Sequence, residues 1–362
     1  MQSKGLKNKP MSRRTLSILL SLAVLLSLAA WPSGASAAEK AIWGPTHLPN
    51  GTSAFGTYKN LGVDTYQTPI RWDSIAPRRP RNPRDPRDPA YRWPSSHDFI
   101  VSEARRLNIK LAPMVIGSPP WANGGRHWRW APRNSDYADF LVAASRRYPS
   151  IRRWQIWGEP SHPGAFQPSG DPTAARRYAT LLDAAYQALK TVNPNNIVIG
   201  GMTFTNGSVT PVRFLRELRL PSGARPRLDW WGHNPFSRRY PDGRRETYTR
   251  YGRDINDMDV FAREVHGAYA RTGRAPKLWL SEFTIQSDHG SKTFNFYVSR
   301  RDQAAWVTAA FRLANRQSSI AGLGWLALLD EAPRSDHLEM NWGLLTHRAV
   351  PKPAYSAYRN VP

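Results

Sequence analysis

Cysteine is absent from the 362-residue chain, which excludes a disulfide scaffold and removes thiolates from any metal site. Also missing are a His-Glu-x-x-His pair, a Gly-x-Ser-x-Gly nucleophile turn and a glycine-rich phosphate loop. Zinc-peptidase, α/β-hydrolase and nucleotide-binding chemistries therefore have no support in the sequence. Acids are scarce, 27 Asp+Glu against 51 Lys+Arg. The nine His are scattered, and the one loose oxygen-rich group, Asp336, His337 and Glu339, reads as solvent-facing; no metal and no organic cofactor is implied. What is present in quantity is tryptophan, with 15 Trp, 14 Tyr and 12 Phe in a chain that is 40% hydrophobic. That composition excludes disorder and collagen and fits one large or two small globular domains. The 31 Pro and 25 Gly imply many loops, while the aromatics can build a core and a surface that stacks on sugars or bases.

The first 38 residues carry the parts of a secretory signal: Lys4, Lys7, Lys9, Arg13 and Arg14, the apolar Leu16 to Ala30, then Ala35-Ser36-Ala37. The apolar run is short for a membrane span, so the expectation is a secreted, extracellular protein starting near Ala38, with no stable membrane insertion after cleavage. Ser12-Arg13-Arg14 hints at the twin-arginine route. Beyond residue 38 the balance is 46 Lys+Arg against 27 acids, still +19. Such a field can steer a protein to nucleic acid, an anionic surface or an acidic polysaccharide, or be a solvated Arg-rich surface. The dense run from Arg78 to Pro89 repeats Arg-Asp-Pro and reads as an exposed, Pro-stiffened loop. It lacks the interleaved aromatics of a single-strand binding groove, so no nucleic-acid partner is expected.

Apolar runs alternate with longer amphipathic stretches. The runs are Gly62 to Trp72, Ile109 to Val115, Ile151 to Trp157, Ile197 to Gly201, Leu228 to Gly232, Lys277 to Ser281 and Ala321 to Leu328, with an entry strand near Ala41 to Gly44 or Thr52 to Gly56. Ser96 to Leu107, Tyr137 to Arg147, Thr173 to Thr191, Asp257 to Arg271 and Arg301 to Arg316 show apolar residues at three- and four-residue spacing. Eight βα units over residues 39–362 predict a single (β/α)8 barrel, with no separate binding module.

A barrel of this kind places its chemistry after the strand C-terminal ends. There the sequence has Arg71, Ser118 to Ala122, Gly158-Glu159-Pro160, His233 to Phe236, Ser281-Glu282-Phe283 and Trp325. Glu159 and Glu282 each end a run otherwise apolar and Trp-rich, where a carboxylate is costly unless its protonation is fixed by its surroundings. Across a barrel mouth such a pair would stand roughly 5 Å apart, the retaining-glycosidase spacing. The structural alternative is an ion pair of either acid with a buried Arg such as Arg71.

These segments resemble the retaining β-glycoside hydrolases of clan A, in particular the cellulase-like and β-xylosidase-like branches, from Gly62 to about Tyr358. Ile70-Arg71-Trp72 and Gly117 to Ala122 resemble the second- and third-strand segments. Trp154 to Pro160 resembles the fourth-strand motif that usually reads W-E-x-W-N-E-P, and Leu280 to Phe283 the seventh-strand T-E-F/W motif. The ending, Trp342 to Leu345 followed by Pro351 to Tyr355, is similar to the clan's G-L and K-P-A-Y tail. The resemblance implies Glu159 as acid/base and Glu282 as nucleophile. It further implies that Arg71 holds Glu282 ionised and that His233 orients it, a satisfied core histidine being the alternative. Trp121, Asn234 and Trp325 are implied substrate contacts, Trp325 as the floor beneath the sugar or else a core side chain. Trp128, Trp130, Trp231 and Trp342 are further expected on the rim, Trp157 and Trp279 in the core.

One position departs from the pattern. Gly158 stands where the clan usually has an Asn that resembles a donor to the sugar 2-hydroxyl. Asn123, His162 or Asn234 could substitute, the substrate could differ at that position, or the protein could be a degenerate carbohydrate binder. The loop Gly124 to Trp130 mixes cations with aromatics and could meet a carboxylated sugar. The expected partner is a poly- or oligosaccharide, with an acidic one among the candidates; the remaining alternative is a basic binder of anionic polymers.

Overall fold

The computed structural model describes residues 37–245 and 252–362; the secretory segment falls, up to residue 36, outside them. Eight parallel strands close into a barrel: β1 (Glu39–Trp43), β2 (Thr65–Arg71), β3 (Lys110–Ile116), β4 (Arg153–Ile156), β5 (Ile197–Phe204), β6 (Trp230–Asn234), β7 (Lys277–Phe283) and β10 (Ile320–Leu326). Neighbours follow chain order, and β10 pairs with both β7 and β1. Two short strands, β8 (Gln286–Ser287) and β9 (Tyr297–Val298), form a separate ladder. Glu39–Trp43 is the entry strand, and Thr52 to Gly56 instead leads into a short helix, α1 (Phe55–Asn60). The barrel predicted from the runs is the fold observed.

Alternation along the strands sorts side chains between two apolar layers. Ala41, Ala112, Met114, Ile199, Met202 and Trp279 fill the barrel interior. Ile42, Leu111, Val115, Leu278, Leu280 and Leu323 face outward into the larger core under the helices. With both faces buried, the strand sequences read as nearly continuous apolar runs. That is why the runs, and not a two-residue alternation, mark the strands in the sequence.

The helices are α2 (Trp72–Ile75), α3 (Ser95–Leu107), α4 (Pro120–Asn123), α5 (Asn134–Arg147), α6 (Thr173–Val192), α7 (Pro211–Glu217), α8 (Met258–Tyr269), α9 (Arg300–Asn315) and α10 (Pro353–Asn360). The stretch expected as one helix from Asp257 is α8 flanked by single 3-10 turns, Ile255–Asp257 and Ala270–Thr272. In α6 the buried Tyr178, Leu181, Leu182, Ala185 and Leu189 recur at three- and four-residue spacing and turn one stripe to the sheet. Buried tyrosines fasten helices to strand ends: Tyr137 Oη donates to the Val115 carbonyl at 2.7 Å and Tyr178 Oη to that of Ile156 at 2.6 Å. Burial raises both phenols' pKa, so they remain protonated donors.

The segment from Arg78 to Pro89 is held more firmly than its composition suggests. Arg79 pairs with Asp136 and Arg84 with Asp139, both on α5, at 3.0 and 2.6 Å. Asp88 is buried and accepts from the Asn82 and Ala90 backbones at 2.7 and 2.9 Å.

Candidate active site

After β4 the chain turns abruptly. Trp157 and Glu159 both have positive φ, 64° and 42°, an uncommon conformation for non-glycine residues that costs on the order of 1–3 kcal/mol each. The buried Trp157 ring anchors the turn, donating Nε1–H to the Ala165 carbonyl at 3.0 Å and packing edge-on against Phe166. Between them Gly158 leaves no room for a side chain as packed: a Cβ there would lie 2.7 Å from Met114 Sδ. A methionine from β3 thus occupies the space beside the acid.

Glu282 reaches the mouth through a bulge in β7. Leu280 pairs with Leu323 and Phe283 with Trp325, three steps on one strand against two on the other. The extra residue lets Leu280 and Phe283 both face the helices and re-aims the segment between them, Ser281-Glu282. Both glutamates remain partly exposed, open to a ligand entering the mouth.

The two carboxyls influence each other. Burial, then the negative charge of Glu159, pushes Glu282 up to about 8. Glu159 is also raised by burial, opposed by a hydrogen bond from Asn234 and by the nearby His162. Asn234 Nδ2 donates to Glu159 Oε1 at 3.0 Å, which favours the ionised form of Glu159. Each carboxyl is raised by burial, and Glu282 also by the charge of Glu159, so the two titrate as a pair.

A polar layer beneath them joins the strands that carry them. Ser281 Oγ, next to Glu282, donates to Gln155 Oε1 at 2.8 Å, and Gln155 Nε2 donates to Gln67 Oε1 at 3.1 Å and to the Ala112 carbonyl at 2.7 Å. Gln67 Nε2 returns to the Ser281 carbonyl at 2.8 Å, and Trp279 Nε1 donates to Gln67 Oε1 at 3.0 Å. All four residues are fully buried, and a satisfied network of this kind fixes register. Sequence reading missed it, although Gln155 inside an apolar strand run was the signal.

Three expected contacts are not made. Arg71 does not pair with Glu282; it forks onto Asp73 at 3.0 and 2.6 Å, with its guanidinium 4.4 Å above the Trp128 ring. Asp73, two residues along in α2, is simply nearer. His233 has both ring nitrogens engaged elsewhere, with Thr203 Oγ1 at 2.9 Å and the Arg253 carbonyl at 2.8 Å. Burial lowers its pKa to about 4, so it is a neutral core histidine. Trp325 is wholly buried against Phe283 and donates to the Trp342 carbonyl at 3.1 Å. It faces the helices because the inward positions of β10 are Gly322 and Gly324, so it offers a sugar no surface.

Of the other rim candidates, Trp231 lies in the core and Trp342 is half-buried. Trp121 is half-buried on Trp72 with its Nε1–H on the Ala76 carbonyl at 2.8 Å. Trp157 and Trp279 are core residues. Among the described residues no cluster of His, Cys, Asp and Glu is arranged to hold a metal.

No protein-family model and no curated protein matches the chain. Solved structures do. A family 39 glycoside hydrolase from the gut symbiont Bacteroides cellulosilyticus WH2 superposes with TM-score 0.67 at 19% identity, covering 91% of this chain and 64% of that one. The chain has the barrel fold of these glycoside hydrolases. A glucosidase from Croceicoccus marinus gives TM-score 0.65, 16% identity and coverage of 92% and 69%; a monomeric beta-xylosidase from Caulobacter crescentus CB15 gives 0.55, 15%, 89% and 67%. This chain therefore spans about two thirds of the length of these three glycosidases.

Proposed function

We propose that the protein is a secreted glycoside hydrolase that cleaves β-O-glycosidic bonds of a poly- or oligosaccharide with retention of configuration. The observation that supports this most directly is the coupled pair Glu159 and Glu282, placed at the ends of β4 and β7 by a strained turn and a bulge. Glu282 attacks the anomeric carbon, forming a glycosyl ester as the bond to the leaving oxygen breaks, and Glu159 protonates that oxygen. Water then gives a proton to Glu159 and its oxygen to the anomeric carbon, releasing Glu282. The chemistry needs the shared proton on Glu159. The reactive form is the one with Glu282 ionised and Glu159 protonated, and it is drawn from the pair's shared titration before the glycosidic bond begins to break. Asn234, bonded to Glu159, positions the acid.

The test is hydrolysis of aryl β-glycosides and β-linked polysaccharides by the wild type and by Glu159→Gln and Glu282→Gln, with product configuration followed by NMR. Retention with the wild type and a loss of about 10²–10⁴ in kcat for each variant is expected. Cleavage that survives both substitutions, or inverts configuration, overturns the assignment.

A further inference from the structure

We propose that the loop between β3 and α5 forms a carboxylate-binding sugar subsite beside the two glutamates, making the substrate a β-linked polysaccharide that contains uronic acids. The inference rests on the glycosidase reading above and specifies its substrate class.

One sector of the mouth is rich in arginine. Segments 71–94 and 117–133, which follow β2 and β3, together contain ten Arg and three Asp. All three Asp are engaged, Asp73 by Arg71, Asp85 by Arg87 and Asp88 by backbone amides. Arg79 and Arg133 share Asp136, and Arg84 pairs with Asp139, both acids on α5. Five Arg, at 78, 81, 92, 126 and 129, have no acidic partner among the described residues, and of these only Arg126 is stacked on an aromatic ring.

Arg126 is held in place rather than waving in solvent. Its guanidinium lies 4.2 Å above the Trp130 ring. Its backbone amide donates to Asn123 Oδ1 at 2.9 Å, and Asn123 Nδ2 donates to the Arg126 and His127 carbonyls at 3.0 and 3.1 Å. A guanidinium stacked on an indole keeps its in-plane N–H edge free, the edge that binds a carboxylate through two hydrogen bonds. The base of the loop is tied to the glutamate region on both sides. Ser118 N–H, after β3, donates to the Trp128 carbonyl at 2.8 Å, and Trp130 pairs with Gln167 on the loop that carries Glu159.

Across the mouth a similar stack recurs on the loops after β6 and β7, where the exposed Arg238 lies 5.9 Å over Phe294. Glu159 follows β4, next to the first sector, and Glu282 lies on β7, whose loop carries Phe294 of the second, so a chain of carboxylated sugars crossing both acids meets a stacked arginine on either side. Nucleic acid fits less well, because one face each of Trp128 and Trp130 is already taken by Arg71 and Arg126 rather than left for a stacked base.

Binding is measured by calorimetry on the Glu159→Gln protein, with oligomers of β-1,4-glucuronate, β-1,4-mannuronate and hyaluronan against neutral cello- and manno-oligosaccharides of equal length. Cellulose sulfate and single-stranded DNA form separate arms, and wild-type cleavage of each glycan is followed alongside. At least one uronate series should bind about 10-fold or more tightly than its neutral counterpart at low salt. Arg126→Ala should remove most of that preference, and Arg126→Lys should restore only part of it. Equal affinity for uronate and neutral glycans throughout, a preference that Arg126→Ala leaves intact, or equally tight binding of cellulose sulfate or DNA overturns the inference. Cleavage of neutral glycans would in those cases leave the glycosidase reading standing. Uronate binding with no cleavage of any glycan keeps the subsite and overturns the glycosidase reading instead.

Discussion

At the level of single residues the chemistry turns on where one proton sits. Burial and the charge of Glu159 raise Glu282 to about 8, while Asn234 holds Glu159 toward its ionised form. A carboxyl raised above its unfolded value contributes most to stability below that unfolded value, and the contribution is lost as pH rises through the folded one. The window for Glu282 therefore runs from about 4.5 to about 8. Glu282→Gln removes the charge that the folded protein resists, so it should stabilise, by little at pH 5 and by on the order of 2 kcal/mol at pH 9 once partial exposure is allowed for. Thermal melts of wild type and variant across this range check it; an equal shift at both ends would mean that packing, not ionisation, is responsible. The same loss of the last proton should close the alkaline limb of the activity profile near pH 8, since no acid then remains for the leaving oxygen.

Among elements, the packing of β3 against the turn after β4 decides what can stand next to Glu159. Met114 Sδ fills the space above Gly158, so Gly158→Asn alone should cost about 1–3 kcal/mol by overpacking. Met114→Ala alone should cost about 2–5 kcal/mol through the cavity it leaves. Combined, the new side chain enters the vacated space, and the double variant should be more stable than the sum of the two by about 0.5–3 kcal/mol. Urea denaturation of the four proteins measures that coupling; strict additivity would show that the two side chains do not compete. This is also the scale at which sequence and structure part. The strands were legible because burial on both faces makes each a continuous apolar run, and the glutamates because each breaks such a run. Illegible were the features that depend on register. The bulge that re-aims Glu282, the outward turn of Trp325 and the engagement of His233 by Thr203 all follow from pairings between distant segments, whereas the capture of Arg71 by Asp73 is a local contact set by the turn from β2 into α2. Gln67, Gln155 and Ser281 show the same limit: Gln155 stands out in its apolar run, but only the closed barrel brings its partners to it.

For the whole molecule the question is what keeps the barrel shut where β1 meets β10, since that joint links the two ends of the chain. Lys40 Nζ on β1 donates to the Val361 carbonyl at 2.9 Å, and Tyr358 Oη donates to the Ala41 carbonyl at 3.1 Å, so α10 lies across the seam. The segment leading into α10 is anchored by Lys352, whose fully buried Nζ reaches Asp330 Oδ1 at 2.8 Å and Ser287 Oγ at 2.9 Å. Burial moves Asp330 up and Lys352 down, each toward its neutral form, so desolvation offsets much of their attraction. Such a pair specifies geometry more than it adds stability. Lys352→Met leaves the Asp330 charge buried without a cation and should cost about 3–5 kcal/mol. Adding Asp330→Asn removes the charge while keeping an acceptor for the Gly343 amide, now bonded at 2.8 Å, and should recover most of that loss. Chemical denaturation of the single and double variants decides: recovery identifies an uncompensated charge as the cost, whereas a double variant as unstable as Lys352→Met would place it in the lost contact between the lysine and Ser287.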